Sequence, residues 1–530
     1  MTKGRSEGGR QFSGQQDGRW IRASLEAVLL LGLVAAVGGV GAQGTPEYDI
    51  LIRNGRIVDG AGNAWFRGDV GIRAGRIARI GRLEGARAGR VIDAAEKVVA
   101  PGFIDVHMHV ERSLPERPTA DNLVADGVTS IVTGNCGGSE VAIGAWFERL
   151  QQSGVGVNVA TLVGHNAVRR RVMGTENRAA TPEELARMEA LVARAMEEGA
   201  VGLSTGLVYV PGTYAATEEV VALARVAARS GGLYATHMRN EEEKVFEAIE
   251  EALQIAREAG LPLEISHFKV SNKLLWGASS GMLARVQRAR AEGLDVTVDQ
   301  YPYTASSTGL GRLVPTWALA GGREAIRRRL ADPAEREKIA EEMYENIRGI
   351  QGQKHLEWAV VARARWNPEL EGKSIREINR VWGRKDELEE EIQTVLDMMA
   401  RGRAQMVYHR MDERDVVRIL SHPLVMLGRD GGVPEFGTGK PHPRNYGAAA
   451  RLLGRYVREK KVLRLEEAIR KMTSLPAGRF GFEGRGLLRE GMWADIVVFD
   501  PQTVRDRATF DDPHEYSRGI DYVLVNGELV

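Results

Sequence analysis

The sequence predicts an α/β protein built on a parallel, TIM-like (β/α)8 barrel, with a small β-domain assembled from both ends of the chain. Short apolar runs alternate with amphipathic helical stretches through the middle of the chain, which is the pattern of a parallel barrel. Alternating apolar and polar residues around Asn-Gly and Ala-Gly turns indicate hairpins near residue 48, and the same texture returns at the C-terminus. The length of 530 residues allows one large domain and an accessory one.

The composition restricts the classes of function. The 72 Lys and Arg residues offset 71 Asp and Glu residues, and they are scattered along the chain. This balance favours neither nucleic acid nor another polyanion as a partner. Hydrophobic residues make up 43% and charged residues 27%, as in ordinary globular proteins. The single cysteine, Cys136, excludes an intramolecular disulfide framework and a cysteine-only zinc cluster.

The first 44 residues differ from the rest of the chain. A polar, basic segment precedes residues 27–42, which carry no charge and end in small residues. This pattern predicts a secretory signal cut near Ala42, and therefore a periplasmic or extracellular protein. An uncleaved membrane anchor and a mis-assigned start codon are the alternatives, and without cleavage the protein would be cytoplasmic. No later apolar run is long enough to cross a membrane, so no stable membrane association is predicted after processing.

The remaining chain divides into the β-domain and the barrel. Hairpin patterns predict that residues 45–100 and 486–530 form the β-domain, and residues 101–485 form the barrel. Predicted barrel strands lie within residues 129–135, 156–165, 199–207, 231–237, 261–269, 294–303 and 424–432. The clearest amphipathic helices lie within residues 182–199, 218–231 and 242–260. A charge-rich, mostly helical segment, about 322–401, interrupts this rhythm as an insertion, either a lid over the barrel mouth or a peripheral decoration.

Candidate metal ligands follow the predicted strands. His107 and His109 stand two residues apart in PGFIDVHMHVE, so on an extended segment both side chains leave the same face. Residues at the C-terminal ends of barrel strands meet at one mouth, where active sites are built. The same position is predicted for four further residues, Cys136, His237, His267 and Asp430. A mixed set of imidazole, thiolate and carboxylate suits zinc. The other histidines lack this joint placement, and most are predicted not to bind metal: His165, His355, His409, His422, His442 and His514.

A collinear set of motifs gives the sequence a specific resemblance. The motifs are PGFIDVHMH, GNCG, THMRNE, EISHFK, DQYPY, GKPHPRNYG, EAIRKMTSLPA and GMWADIVVFDP. Over roughly residues 47–530 the chain resembles the D-aminoacylase (N-acyl-D-amino-acid deacylase) family of the amidohydrolase superfamily. The resemblance implies a zinc-bearing TIM-like barrel with a small β-sandwich. It also implies hydrolysis of N-acyl-D-amino acids, or of dipeptides with a C-terminal D-residue.

The resemblance assigns roles to the candidate residues. Cys136, His237 and His267 resemble the ligands of one tight zinc site. His107 and His109 resemble ligands of a second, weaker metal position, with Cys136 able to bridge, and the residues leave open whether one or two metals bind. Asp430 resembles the catalytic acid/base, which also belongs to the metal-binding set. A departure from the family is Arg429, where relatives commonly have a small residue, and this arginine is expected to perturb the pKa of Asp430 or to reshape the pocket.

The expected chemistry is amide hydrolysis. Zinc lowers the pKa of bound water towards ~7 and polarises a carbonyl, and Asp430 would move the proton from water to the departing amine. The substrate carboxylate needs a cation, for which Arg444 is the best candidate because a guanidinium can bind it through two parallel hydrogen bonds. Lys269 and Tyr301 are further candidate substrate contacts. For Arg444 and Lys269 the alternative is a solvated surface charge, and for Tyr301 it is core packing.

Two other functions compete with this interpretation. A cyclic-amide hydrolase, such as a hydantoinase or dihydroorotase, would use a carboxylated lysine on a middle strand. The corresponding segment, GAVGLSTGL at residues 199–207, has no lysine. A non-catalytic metal-binding barrel would be expected to have lost site residues, yet all six positions are filled. The preferred D-side chain, the acyl group and the oligomeric state are not predicted.

Overall fold

The computed structural model describes residues 46–530. The predicted signal peptide lies outside these residues. The strands are β1 (Tyr48–Ile57), β2 (Phe66–Arg73), β3 (Arg76–Gly81), β4 (Ala88–Asp93), β5 (Val98–Pro101), β6 (Phe103–Asp105), β7 (Val128–Thr133), β8 (Asn158–Thr161), β9 (Val163–Gly164), β10 (Gly202–Gly206), β11 (Leu233–His237), β12 (Leu263–Ile265), β13 (Val296–Gln300), β14 (Ser306–Gly309), β15 (Ala359–Arg363), β16 (Gln405–Tyr408), β17 (Val425–Leu427), β18 (Ile496–Phe499), β19 (Ile520–Val525) and β20 (Glu528–Leu529).

Helices surround the strands and connect them. They are α1 (Ser113–Glu116), α2 (Asp121–Val124), α3 (Ile143–Ser153), α4 (His165–Met173), α5 (Pro182–Glu197), α6 (Thr217–Arg229), α7 (Val245–Ala259), α8 (Ser279–Ala291), α9 (Gly322–Ala331), α10 (Pro333–Tyr344), α11 (Ile375–Val381), α12 (Leu388–Arg401), α13 (Glu413–Ser421), α14 (Arg444–Arg451), α15 (Leu465–Met472) and α16 (Ser474–Phe480). In the part of the chain that the structure describes, no helix combines the length and apolar character needed to cross a membrane.

The barrel is made of parallel strands, as the alternation of apolar runs and helices predicted. β6, β7 and β8 pair in parallel, and β9, β10, β11, β12, β13 and β17 continue the parallel order. β8 and β9 are successive parts of the third strand. The barrel closes between the segments that follow its first and last strands, where Asp430 N donates to His107 O at 2.9 Å and His109 N donates to Gly431 O at 2.8 Å.

Apolar residues of the strands and helices form the barrel's outer core. α5 shows why the sequence is helical at this point: it begins with a capping box between Thr181 and Glu184, with Pro182 at its first position. Its buried face carries Met188, Val192 and Met196, spaced as one stripe of a helix. This apolar stripe packs against the strands and completes one βα unit. α6 and α7 also carry buried apolar residues and form βα units in the same way.

The β-domain is confirmed as a product of both chain ends. Its eight strands belong to one mixed sheet in the order β20-β19-β18-β5-β1-β2-β3, with β4 also pairing with β1. Alternate residues of these strands, among them Ile52, Ile72 and Ile496, form a separate buried cluster. The sheet therefore brings the termini of the described chain together beside the barrel.

The insertion has its own small core. Its helices run from Gly322, the start of α9, to Arg401, the end of α12. Three antiparallel strands, β14, β16 and β15, join them, so the unit is α/β rather than only helical. Residues such as Ile339, Ile375 and Val395 are buried within it. Glu242, in a barrel loop, connects the insertion to the barrel. The Glu242 carboxylate accepts hydrogen bonds from Arg312, Gln351 and Arg410.

Candidate metal centre and substrate cavity

All six predicted metal-site residues lie at the C-terminal end of the barrel. His107 and His109 follow β6, Cys136 follows β7, His237 is the last residue of β11, His267 follows β12 and Asp430 follows β17. The structure brings them together in two overlapping groups whose ligand atoms lie within 4.8 Å of one another. The groups are His107, His109, Cys136 and Asp430, and Cys136, His237 and His267. Cys136 belongs to both.

The backbone turns sharply at three of these residues. Cys136, His267 and Asp430 have φ angles of 51°, 36° and 51°, in the left-handed region that non-glycine residues rarely adopt. Such conformations cost on the order of 1–3 kcal/mol each and cluster at functional sites. Close packing supports the turn at Cys136, because a Cβ on Gly137 would lie 2.0 Å from Asn166 Oδ1. These three candidate ligands therefore lie at sharp turns just beyond the ends of their strands.

The spacing of the donor atoms fits a tetrahedral zinc site. Cys136 Sγ lies 3.3 Å from His107 Nε2, 3.5 Å from His267 Nε2 and 3.7 Å from His237 Nδ1. Sulfur and nitrogen ligands on one tetrahedral zinc, with bonds of about 2.3 and 2.1 Å, are separated by about 3.6 Å. Thiolate, imidazole and carboxylate are also the donors that zinc prefers. The residues present therefore fit zinc.

The electrostatics of the site favour the ligand forms of the sulfur and the carboxylate. Burial disfavours a thiolate, but the charges of His107 and His267 hold the pKa of Cys136 well below its ordinary value. Burial likewise opposes ionisation of Asp430, yet Arg444 and His109 keep its pKa well below the usual range. Although burial lowers it, hydrogen bonds with Asp430 and Cys136 raise the pKa of His109 to about 10. The centre is thus arranged to balance negative ligands with positive charge.

Two carboxylates that the sequence interpretation did not single out orient the histidines. Asp299 of β13 lies with Oδ2 3.1 Å from His107 Nδ1, and its Oδ1 accepts the backbone N–H of His267 at 2.9 Å. Glu241 lies 2.9 Å from His267 Nδ1 and 3.4 Å from His237 Nε2. Metal-binding histidines commonly have their second nitrogen held in this way. Both residues lie within quoted motifs, DQYPY and THMRNE.

Asp430 sits between a histidine and an arginine. Its Oδ1 is 3.1 Å from His109 Nε2, and its Oδ2 is 2.8 Å from Arg444 Nη2. The Arg444 guanidinium lies over the Tyr301 ring, 4.5 Å from its centroid. Its Nε and Nη1 are buried without a hydrogen-bond partner among the described residues. The arginine therefore has donors left for a ligand.

Comparison with known proteins gives the family. Residues 90–302 and 383–530 match the profile of the amidohydrolase family. The chain belongs to the amidohydrolase family. It is 39% identical to an N-acyl-D-glutamate deacylase of Alcaligenes xylosoxydans xylosoxydans, over 91% of this chain and 93% of that protein.

Solved structures agree with this assignment. A zinc- and phosphonate-bound N-acyl-D-glutamate deacylase from Bordetella bronchiseptica matches with a TM-score of 0.79 and 38% identity, over 91% of this chain and 96% of that chain. A D-aminoacylase studied for its binuclear metal centre, with one activating and one attenuating metal, matches with a TM-score of 0.78 and 36% identity, over the same shares. The profile omits residues 303–382, which include most of the insertion.

A cavity of about 920 Å³ opens above the metal centre of this amidohydrolase. Cys136, His109, Asp430 and Arg444 lie along its wall. The insertion contributes residues of β14 and β15 and the segment after them to the lining: Ser307, Thr308, Ala362, Arg363 and Arg365. The insertion thus forms part of the cavity wall.

The other candidate substrate contacts of the amidohydrolase are placed differently. Lys269 lines a small neighbouring cavity, where its Nζ is 2.5 Å from Glu241 Oε1 and 2.8 Å from His267 Nδ1. Tyr301 is fully buried, and its hydroxyl donates to Met411 Sδ at 3.8 Å. Its ring supports Arg444, so in this structure the packing alternative describes it.

Arg429 does not reach the cavity of the amidohydrolase. Its side chain is fully buried and forms ion pairs with Asp105 at 2.6 Å and Asp126 at 3.0 Å. The expectation that Arg429 reshapes the pocket directly is therefore not met, because the side chain points to these two carboxylates.

Among the remaining histidines, His355 has carboxylate neighbours in the insertion. His355, Asp386 and Glu391 form a third group with ligand atoms within 4.8 Å. Arg376 and Arg380 each form two hydrogen bonds with Asp386. These arginines neutralise Asp386, so this group is an ion-pair network.

Proposed function

We propose that the protein is a zinc-dependent hydrolase of the amide bond of N-acyl-D-amino acids, releasing a carboxylate and a free D-amino acid. The observation that carries this proposal is the Cys136 sulfur shared by two ligand groups beside Asp430 and Arg444, in a chain 39% identical to an N-acyl-D-glutamate deacylase. The reaction needs a polarised carbonyl, an activated water and a proton for the leaving nitrogen. The site has residues for each of these tasks.

We propose the ligand roles from the resemblance to the deacylase family, supported by the two groups of donor atoms. Cys136, His237 and His267 would hold the tight zinc, and His107 and His109, with Cys136 and Asp430, would hold a second, weaker metal. Bound zinc supplies a Lewis acid that polarises the scissile carbonyl and lowers the pKa of water towards ~7. Glu241 and Asp299 fix the imidazole orientations through the contacts described above. Cys136 contributes a thiolate to both groups.

Asp430 is proposed as the acid/base. Its carboxylate faces the cavity and stays ionised, because Arg444 and His109 hold its pKa low. It can take a proton from the attacking water and deliver it to the amine nitrogen as the amide bond breaks. His109 orients the carboxylate of Asp430 through the 3.1 Å contact between His109 Nε2 and Asp430 Oδ1.

Arg444 is proposed to bind the substrate carboxylate. Its Nε and Nη1 have no hydrogen-bond partner among the described residues, so each can donate a charge-assisted hydrogen bond to that group. Lys269 would contact the substrate close to the ligands of the tight zinc site. Tyr301 would contribute indirectly, because its ring supports the guanidinium of Arg444. The alternative function, a cyclic-amide hydrolase, would need a lysine on the middle strand that can be carboxylated, and β10 (Gly202–Gly206) contains no lysine. With Arg444 as the proposed carboxylate-binding residue, the expected substrate is a small molecule with a free carboxylate.

The deciding experiment is a substrate panel. Purified protein with zinc should hydrolyse N-acetyl-D-amino acids and leave the L-enantiomers intact, and the panel should include apolar, acidic and neutral polar side chains. Chelation should remove the activity, and zinc should restore it. Hydrolysis of a hydantoin, with no hydrolysis of any linear N-acyl-D-amino acid, would contradict the proposal.

We further propose that the protein is exported and cut near Ala42. The support is the uncharged run at residues 27–42 and the start of β1 only at Tyr48. Mass spectrometry of protein from the native host should show an N-terminus close to Gln43 in the periplasmic or secreted fraction. An intact Met1 in the cytosolic fraction would contradict export.

A further inference from the structure

Arg429 is a fully buried arginine with two buried carboxylates as partners. Its Nε donates to Asp105 Oδ2 at 2.6 Å, and its Nη2 donates to Asp126 Oδ2 at 3.0 Å. Both aspartates are almost completely buried. Burying such charges costs several kcal/mol per ion unless partners compensate it. Arg429 does not line the cavity, so contact with a substrate does not explain why this position holds an arginine.

Asp105 connects Arg429 to the barrel closure. Its Oδ1 accepts the backbone N–H groups of His107 and Arg429, both at 3.1 Å. These residues stand immediately beside the closing hydrogen bond from Asp430 N to His107 O. The carboxylate of Asp105 therefore ties the histidine segment to the segment that carries Asp430, and the Arg429 side chain holds that carboxylate in place.

Asp126 and Asn445 connect Arg429 to the helix that carries Arg444. Asp126 accepts the backbone N–H groups of Ala449 at 2.8 Å and Ala450 at 3.0 Å, both in α14. Arg429 Nη1 donates to Asn445 O at 3.2 Å. Arg444 is the first residue of α14. One guanidinium thus contacts the groups that fix the position of Asp430 and the groups that fix the helix bearing Arg444.

We propose that Arg429 is a positioning residue that sets the catalytic Asp430 and the carboxylate-binding Arg444 relative to each other. This inference rests on the proposed function. Arg429 touches no reacting atom and acts through Asp105, Asp126 and Asn445. The 2.8 Å contact between Arg444 Nη2 and Asp430 Oδ2 is the geometry that it maintains. A shift of about 1 Å in such a pair can cost about a hundredfold in rate.

The test compares Arg429→Met and Arg429→Lys with wild type. Each protein is assayed on an N-acetyl-D-amino acid and on its C-terminal amide, and its zinc content is measured. Arg429→Met should lower kcat on both substrates, and it should also lower the preference for the free acid at least about tenfold, because Arg444 no longer meets the carboxylate. Arg429→Lys keeps the charge without the fork and should recover part of both effects. Zinc at His237 and His267 should remain bound.

Arg485→Met is the matched control. Arg485 is also a buried arginine, and its partner is a buried aspartate of the β-domain, Asp495. It should lower the thermal unfolding temperature and leave kcat and the acid preference unchanged. If Arg429→Met does not fold, the comparison of Arg429→Lys with Asp126→Asn decides, since both should weaken the acid preference.

The outcomes separate the two proposals. Unchanged kcat and acid preference in Arg429 variants would overturn the positioning role. A change that Arg485→Met reproduces would also overturn it, because loss of stability would then account for the effect. Wild-type protein that hydrolyses no N-acyl-D-amino acid would refute the proposed function, and this inference with it.

Discussion

Arg444→Ala tests carboxylate recognition and also reveals its coupling to the chemistry. The side chain is buried over Tyr301, with Nη2 2.8 Å from Asp430 Oδ2 and 3.3 Å from Ser307 O. The substitution therefore removes two things. It removes the donors offered to the substrate carboxylate, and it removes the positive charge that does most to offset the burial of Asp430.

The two losses have different sizes and different substrate dependence. A charge-assisted hydrogen-bonded contact contributes about 1.5–3 kcal/mol, which corresponds to roughly tenfold to 150-fold in kcat/KM. This loss applies only to substrates with a free carboxylate. Without Arg444 the pKa of Asp430 loses the charge that does most to lower it, while His109, His107 and His267 still act against the effect of burial. The loss on C-terminal amides should therefore be smaller, and it comes from the lost orientation of Asp430.

The assay is steady-state kinetics of wild type, Arg444→Ala and Arg444→Lys on N-acetyl-D-amino acids and the matching C-terminal amides. Arg444→Ala should lose most on the acids and mainly through KM, and Arg444→Lys should recover only part, because an ammonium lacks the planar fork. Asp430→Asn provides the contrast: it should collapse kcat on both substrate types with zinc still bound. Equal losses on acids and amides in Arg444→Ala would refute the recognition role of Arg444.

Three further changes probe the centre and the fold. Cys136→Ala should remove the tightly bound zinc and abolish turnover, and Cys136→Ser should be nearly as damaging. Full zinc content by elemental analysis, together with a near-normal rate, would show that the Cys136 thiol has no role in metal binding or catalysis. Glu241→Gln removes the carboxylate beside His237 and His267, so chelator competition should show zinc affinity lower by about 10- to 100-fold, and unchanged affinity would deny it this role. Lys471 is buried, and burial lowers its pKa from 10.5 to about 7. Between these values the unfolded chain binds a proton that the folded chain does not, so stability rises with pH. Wild type should gain about 1.4 kcal/mol of unfolding free energy per pH unit relative to Lys471→Met, measured by thermal unfolding across that window, and parallel curves would contradict the assignment.

The alternation of apolar runs with amphipathic stretches along the chain was enough to predict the barrel. An apolar run followed by an amphipathic stretch has few ways to bury both faces, so the run at 231–237 and the helix at 242–260 could be placed within a few residues of β11 and α7. The metal ligands were predictable for the same reason. A polar residue at the C-terminal end of a buried barrel strand, or just after it, lies at the barrel mouth, and His237 and His267 follow this rule.

Contacts that depend on barrel closure could not be predicted in this way. Glu241 lies four residues after His237 in a loop, and only the path of that loop returns its carboxylate to His267. Asp299 carried a local signal, a carboxylate inside the apolar run of β13, but its partner His107 is 192 residues away. The contact of Arg444 with Asp430 likewise depends on how α14 packs after the closing strand.

The proposed roles of Arg444 and Asp430 link substrate binding to proton transfer through one contact. Arg444 Nη2 lies 2.8 Å from Asp430 Oδ2, and the other two nitrogens of the same guanidinium have no hydrogen-bond partner among residues 46–530. A substrate carboxylate that takes those donors shares the positive charge with Asp430. Because Arg444 is the first charge that offsets the burial of Asp430, a bound carboxylate weakens this offset and makes Asp430 a stronger base. On these proposed roles, a substrate with a free carboxylate makes Asp430 a stronger base towards the water that attacks the amide, and an amide analogue does not. This coupling predicts that the preference for free acids lies partly in kcat and not only in KM.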